Sequence, residues 1–262
     1  MIERSSGTKL LPDALLHELG VTEPNEIDLG VLAWRVGATV RSHRLHDCEA
    51  RITGFNDRAT ITVTDNVAPT RQRFSIAHEL GHWYYHRGYA LTCRTAEIGT
   101  TDAARSDAER IADRYAADLL MPFYLFKPRL EAIKAMDWLG VRAIAREFGV
   151  SPLAAAIRVV ESGVYPLVLV CHNAQGRQWF RPTASLEGRC FPNSDLDPDT
   201  PAFALLYGNR AQLKPCASPG RAWFERGPAA QVPVQEHSMG DGSDIYTLLL
   251  LNIRELVRRG AK

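Results

Sequence analysis

The stretch FSIAHELGHWYYH, Phe74 to His86, decides how the rest of the chain is read. It contains the tetrapeptide HELG, and the same four residues stand earlier in LLHELGV, at His17 to Gly20. On a helix, residues four apart lie one turn apart on the same side, roughly 5–6 Å between Cβ atoms. The later copy continues with His82, so His78 and His82 face the same way, and two imidazoles so placed can bind one ion at roughly 2.0–2.1 Å each. Glu79 sits about 100° round the helix from His78. From there it can reach a water on that ion and take its proton as general base. The earlier copy has Val21 where the second histidine would be, and Gly20 falls where the apolar pattern stops, so it reads as a helix end. Gly81 lies inside the later helix, where glycine costs about 1 kcal/mol against alanine. That cost is expected where another backbone comes close.

A motif this short needs a third ligand. The segment SDAERIADRYAADLLMP begins at Ser106, and its apolar positions Ala108, Ile111, Ala112, Tyr115, Ala116 and Leu119 keep a helical period. Pro122 marks its end. Glu109 is the best-placed acid on this helix. Asp113 follows one turn later on the same face, where it can accept the N–H of a ligand histidine. Two acids so spaced repel by a few tenths of a kcal/mol, roughly, and a cation beside them removes the objection. A capping box formed by Ser106 and Glu109 would instead engage Glu109 with backbone. Arg110 and Arg114 can also neutralise a solvated face. Asp107, Asp118 and Glu97 are the remaining acids, each set less well against the apolar stripe. Tyr84, Tyr85, His86 and Tyr89 are the near candidates for an oxyanion donor, although an aromatic run at a helix end reads first as packing. A ligand role for His86 would swing it away from a site made by the first two histidines.

Working outward, Pro12 and Asp13 open a short helix with Leu15, Leu16 and Leu19 on one face. IDLGVLAWRVGATV, from Ile27, reads as a second helical stretch. ARITGFNDRATITVTDN reads as a hairpin about Asn56 and Asp57. Its second half, ATITVTDN, is the expected edge strand for pairing with an extended peptide. Residues 139–162 read as helix, tight turn, helix: Gly149 stops the first, and Ser151 with Pro152 opens the second. The second helix has one basic residue, Arg158, whereas phosphate contacts need several. Base readout needs long polar side chains near the helix N-terminus; Pro152, Leu153 and Ala154 stand there, so direct DNA binding is not expected of the protein. After Gly163 the pattern changes to strands. YPLVLVCHNAQGRQWFRP suggests two strands around NAQG, and RAWFERG, AQVPVQEH and YTLLLLNI suggest others. Cys171 and His172 read as a strand-end pair. The expected organisation is residues 1–135, a helical and small-sheet domain; 136–163, the helix pair; and 164–262, a smaller, mainly antiparallel β domain. The fold class is α+β.

The 262 residues carry a formal charge of +1, so no global field steers the chain to nucleic acid or membrane, and a local basic patch is left open. The N-terminal residues lack an apolar signal-peptide core. YTLLLLNI is far shorter than the roughly 20 residues of a membrane helix. Cys48, Cys93, Cys171, Cys190 and Cys216 include no C-x-x-C pair and read as free thiols of a reducing compartment. The expected location is the cytoplasm.

RQRFSIAHELGHWYYH, then AERIADRYAADLLMP, then AIAREFGVSPLAAAIRVVESG, together resemble the ImmA/IrrE family of zinc metallopeptidases. The resemblance spans roughly residues 30–163. It implies a zincin-like peptidase domain, zinc ligands at His78, His82 and Glu109, and Glu79 as catalytic acid/base. It implies a protein substrate, a helix-turn-helix transcriptional repressor, cleaved in a stress or mobile-element response. The family often carries a further acid where this chain has Ile111. IrrE-type members add a GAF-like sensor domain, for which residues 166–262 are the candidate. Zn²⁺ is the implied metal, and Mn²⁺, Fe²⁺ or Co²⁺ also suit imidazole and carboxylate ligands. The alternative is a non-proteolytic regulatory protein that binds a repressor or DNA through residues 139–262. A third reading has the C-terminal domain sensing a small molecule and gating the peptidase.

Overall fold

The computed structural model describes residues 11–46, 48–86, 107–208 and 214–260. Contacts divide the chain into two compact units, Met1–Phe126 with Ala145–Ser151, and Lys127–Ile144 with Pro152–Lys262.

The first unit opens with helix α1, Pro12–Glu18, which buries Leu15 and Leu16 and is followed by Gly20 in the left-handed region, φ +70°. Helix α2, Leu29–Arg35, is capped by Asp28, whose carboxylate accepts from the backbone N–H groups of Gly30 and Val31 at 2.8 and 3.1 Å. The helix expected from Ile27 to Val40 therefore stops early. Gly37, φ +85°, turns the chain, and β-branched Thr39 and Val40 enter strand β1, Ala38–Ser42. Strands β2, Ala50–Phe55, and β3, Arg58–Val63, form the hairpin, with Asn56 at φ +52° in its turn. The sheet order is β1-β3-β2, with β1 parallel and β2 antiparallel to β3. This corrects the edge-strand expectation: β3 is central and its hydrogen-bonding groups are engaged on both sides. The parallel partner comes from a segment whose strand character was masked by the helical run before it.

Helix α3, Pro69–His86, packs on β2 and β3 and on helix α4, Asp107–Leu120. A Cβ on Gly81 would lie 2.9 Å from Ala112 Cα and 3.0 Å from the Ala112 carbonyl oxygen. The two helix backbones touch at this point, which accounts for glycine inside a helix. Trp83, fully buried, donates its indole N–H to the Val36 carbonyl at 2.9 Å, and its ring occupies the space a Cβ on Gly54 would need. On α4 the buried stripe is Ala112, Tyr115, Ala116 and Leu119. Ile111, expected in that stripe, is 41% exposed, because the close α3 contact is centred on Ala112 and Tyr115. Helix α5, Phe123–Glu131, follows Pro122. Helix α6, Trp138–Phe148, ends before Gly149 at φ +63°, and Phe148 meets Phe126 edge-on at 5.2 Å between ring centroids.

In the second unit, helix α7 runs Pro152–Ser162. Strands β4, Leu167–Asn173, and β5, Gly176–Pro182, form a hairpin. Helix α8, Pro201–Tyr207, precedes the short strand β6, Cys216–Ser218. RAWFERG is not a strand: Gly220–Trp223 form the short helix α9. A side chain on Gly220 would meet the carbonyl oxygens of Ala229 and Val232 at 2.2 Å, so the chain is packed too tightly there for an extended run. Strands β7, Val234–Asp241, and β8, Asp244–Leu251, complete an antiparallel sheet of order β5-β4-β8-β7-β6, and helix α10, Ile253–Gly260, closes the description. Strand β4 is buried over Leu167–His172, which explains its unbroken apolar run. One side of the core gathers Val170, Leu249, Ala202, Leu205, Trp223 and Phe224. Trp138 donates its indole N–H to the His237 carbonyl at 2.9 Å and its backbone N–H to His237 Nδ1 at 3.0 Å. No described helix is long and apolar enough to cross a membrane.

Candidate metal centre

The helical period of α3 puts His78 and His82 side by side, and both are buried. Their Nε2 atoms are 3.0 Å apart. The close crossing at Gly81 and Ala112 sets the first turn of α4 against them. Glu109 Oε2 lies 3.1 Å from His78 Nε2, and Glu109 Oε1 lies 3.2 Å from His82 Nε2. Asp113, one turn on, has Oδ1 2.9 Å from His78 Nδ1. Glu79 is fully buried, and among the described residues neither of its carboxylate oxygens has a hydrogen-bond partner. It lies on a second buried stripe of α3 with Ser75 and Trp83, at spacings of four that were open to reading in the sequence.

The electrostatics follow from this packing. Burial opposes charge on His78, but the hydrogen bond and charge of Asp113, together with the charges of Glu79 and Glu109, outweigh it, and the ring's pKa is raised. Burial pushes Glu79 up to about 7, with His78 pulling it down and Glu109 pushing it further up.

The donor set fits a divalent cation. If a neutral His78 donates a hydrogen bond from Nδ1–H to Asp113, only a lone pair is left at Nε2, facing the Glu109 carboxylate at 3.1 Å. Two acceptors at that distance repel unless a proton or a metal lies between them. The three donor atoms, one from each of His78, His82 and Glu109, all lie within 4.8 Å of one another. The two histidine nitrogens are 3.0 Å apart, and each has a different oxygen of Glu109 beside it, at 3.1 and 3.2 Å; the edge of a tetrahedron drawn around an ion with ligands at about 2.0–2.1 Å is about 3.3 Å. The two rings and the carboxylate are thus close enough together to share one ion.

The other candidates go elsewhere. Asp107 pairs with Arg110, and Asp118 pairs with Arg114 at 3.1 Å. Tyr84 and Tyr85 pack on Tyr115, with ring centroids 5.2 and 6.4 Å from it, as expected of an aromatic cluster. Tyr89, Glu97, Ser106 and Cys93 lie outside the described residues, and the side chain of His86 is likewise undescribed. The first HELG is a helix end: His17 is exposed and stacks on Tyr124 at 4.3 Å, and Glu18 pairs with Arg35. Arg158 is 1% exposed and pairs with Glu161 at 3.2 Å, so the one cation of α7 does not face solvent.

This cluster is a candidate His-His-Glu metal site and, with the peptidase-family domain around it, supports a metallopeptidase-like or regulatory function. The model of the IrrE N-terminal-like domain, a peptidase family, matches residues 33–160, and such a domain is present there. A solved structure of a Mycobacterium tuberculosis transcriptional regulator is similar at 15% identity and TM-score 0.60, covering 94% of this chain and 76% of that one. At that identity the likeness concerns the fold alone. No curated protein matches the chain.

Proposed function

We propose that the chain is a metal-dependent endopeptidase that cleaves a transcriptional regulator, a repressor of the helix-turn-helix type. The observation that carries this reading is the convergence of His78, His82 and Glu109 beside Glu79, a buried carboxylate with both oxygens unengaged. His78, His82 and Glu109 would hold the ion, Zn²⁺ first by ligand type. When bound, the ion supplies Lewis acidity toward a peptide carbonyl. Asp113 accepts the His78 Nδ1 proton and so turns the Nε2 lone pair inward. Glu79, held near 7 by burial, takes the proton of the attacking water and passes it to the amide nitrogen as the C–N bond breaks. Pairing of an extended substrate segment falls to β2, an edge strand packed on α3, rather than to β3.

The C-terminal unit is read as the regulatory part, GAF-like in the sense of an antiparallel sheet with helices in its connections. A second reading, a non-proteolytic regulator that binds a repressor, is favoured by the name of the Mycobacterium tuberculosis structure. One experiment separates the two. Metal content is measured on the purified protein, and helix-turn-helix repressors of the same organism are incubated with wild type and with Glu79→Gln. Cleavage by wild type alone supports the peptidase. Tight binding without cleavage by either protein supports the regulator, and equal cleavage by both ends the peptidase mechanism.

A further inference from the structure

The sheet of the first unit has a second face that the metal site leaves unused. Side chains alternate along a strand, and Ala38, Ile52, Ala59 and Ile61 take the buried face. The opposite face follows from the register. Thr39, Thr60 and Thr53 stand abreast across β1, β3 and β2. Beside them Arg41, Thr62 and Arg51 form a second row. At the hairpin end, Arg58 stands opposite Phe55. Arg41, Arg51 and Arg58 are exposed, and among the described residues none of the three has a carboxylate partner. Among the described residues lining the groove on this face, the acid is Asp57, in the turn. Phe55 is 81% exposed, the most exposed of the described large apolar side chains. The threonine row, Phe55 and Arg58 line an open groove.

We propose that this face binds single-stranded nucleic acid. Guanidinium groups pair with phosphate oxygens in a fork geometry, and threonine hydroxyls add donors to phosphate and sugar. Along β2, Arg51, Thr53 and Phe55 repeat every two residues, about 6.7 Å, a step suited to successive nucleotides of an extended strand. An aromatic ring left bare among arginines is a stacking platform for a base. An acidic peptide would use the arginines and leave the ring without a partner. A duplex would need an element that enters a groove, and this face is a sheet surface with short side chains at its centre. The proposal shares no residue with the His-His-Glu cluster, so either can fail alone.

The test uses the full chain and a fluorescein-labelled 15-nucleotide oligo-dT, read by fluorescence anisotropy between about 50 and 300 mM salt. Binding is expected to weaken steeply with salt. Arg41→Glu with Arg51→Glu and Arg58→Glu is expected to weaken it by about 30-fold or more and to flatten the salt slope by about two. Phe55→Ala is expected to weaken it by about 5- to 20-fold with the slope unchanged, which a purely ionic contact would not show. Circular dichroism melts matching wild type establish that the variants fold. Arg254→Glu with Arg258→Glu, on α10, is expected to leave binding intact. The proposal is overturned by absence of binding at low salt, or by loss on the α10 change and not on the sheet changes. It is also overturned if Phe55→Ala has no effect, or if a matching duplex or a polyglutamate peptide binds as tightly as oligo-dT.

Discussion

Among the described residues two glutamates are buried, one in each unit, and they are treated in opposite ways. Glu236, 1% exposed, accepts from the Ala202 backbone N–H at 2.9 Å, the Ser218 hydroxyl at 2.7 Å and the Trp223 indole at 2.8 Å. It ties β6, β7, α8 and α9 together, and each oxygen has a donor. Glu79, fully buried, has none, and burial lifts its pKa to about 7. A buried polar group that is satisfied belongs to the architecture, and one left unsatisfied costs stability that only a function repays. The histidines repeat the contrast. Burial opposes the charge of His78, yet Asp113, Glu79 and Glu109 together raise its pKa. His172 is lowered, first by burial and further by Arg177, with the Asn193 carbonyl and Asp195 too weak to reverse it.

Substitutions can break this contrast. The largest effect is expected at Glu79. Glu79→Gln should reduce cleavage of the repressor by about 100- to 10,000-fold while the unfolding free energy from urea titration stays within about 1 kcal/mol of wild type. A large loss of stability there would make Glu79 a second Glu236. Glu236→Ala should cost about 3–5 kcal/mol, because it strands three buried donors and leaves a hole; Glu236→Gln should cost less, about 1–2 kcal/mol. Denaturant melts monitored by tryptophan fluorescence measure both, Trp223 being one of the orphaned donors. Gly81→Ala should cost about 1–3 kcal/mol by overpacking, and it should weaken Zn²⁺ binding, because the new methyl pushes α4 and Glu109 away from the histidines. Isothermal titration with Zn²⁺ reads that second effect. If affinity is unchanged, the α3–α4 crossing does not set the site. The smallest effect is expected at His172. Its folded pKa lies below the ordinary 6.5, so below that pH the unfolded chain takes a proton the folded chain refuses. Its contribution is to lose stability as pH falls below about 6.5, by at most about 1.4 kcal/mol per pH unit. His172→Gln should remove that part of the slope in melts taken from pH 7.5 to 5.5.

Much of the site was open to reading in the sequence, for a local reason. The spacing of His78, Glu79 and His82 is a property of one helix, and the apolar period of α4 placed Glu109 and Asp113 on one side of another. The weak point was the meeting of the two helices. Gly81 signalled a close approach without naming its partner, and Ala112 proved to be that partner. Ile111 obeyed the helical period and still lies exposed, because the contact of α4 is narrower than its apolar stripe. In the sheet, the hairpin about Asn56 was legible from its turn and alternation. The position of β3 was not, because its parallel partner β1 lies earlier in the chain, beyond β2, and parallel pairing leaves no turn signal in the sequence. RAWFERG had the composition of a strand but is bound in place as a short helix by contacts to Ala229 and Val232.

By itself the sequence determined which side chains share a helix face, where helices stop at glycine and proline, and that a histidine pair with an adjacent glutamate recurs only once in full. Those are consequences of backbone period and conformational limits within a few residues. The tertiary structure alone decided that Glu109 rather than Asp107 or Asp118 meets the histidines, that Asp113 reaches the far nitrogen of His78, that Glu79 is left without a partner, and that three arginines and a phenylalanine share an open sheet face. Each of these depends on segments distant in the chain coming within a few ångströms, and that distance is set by packing.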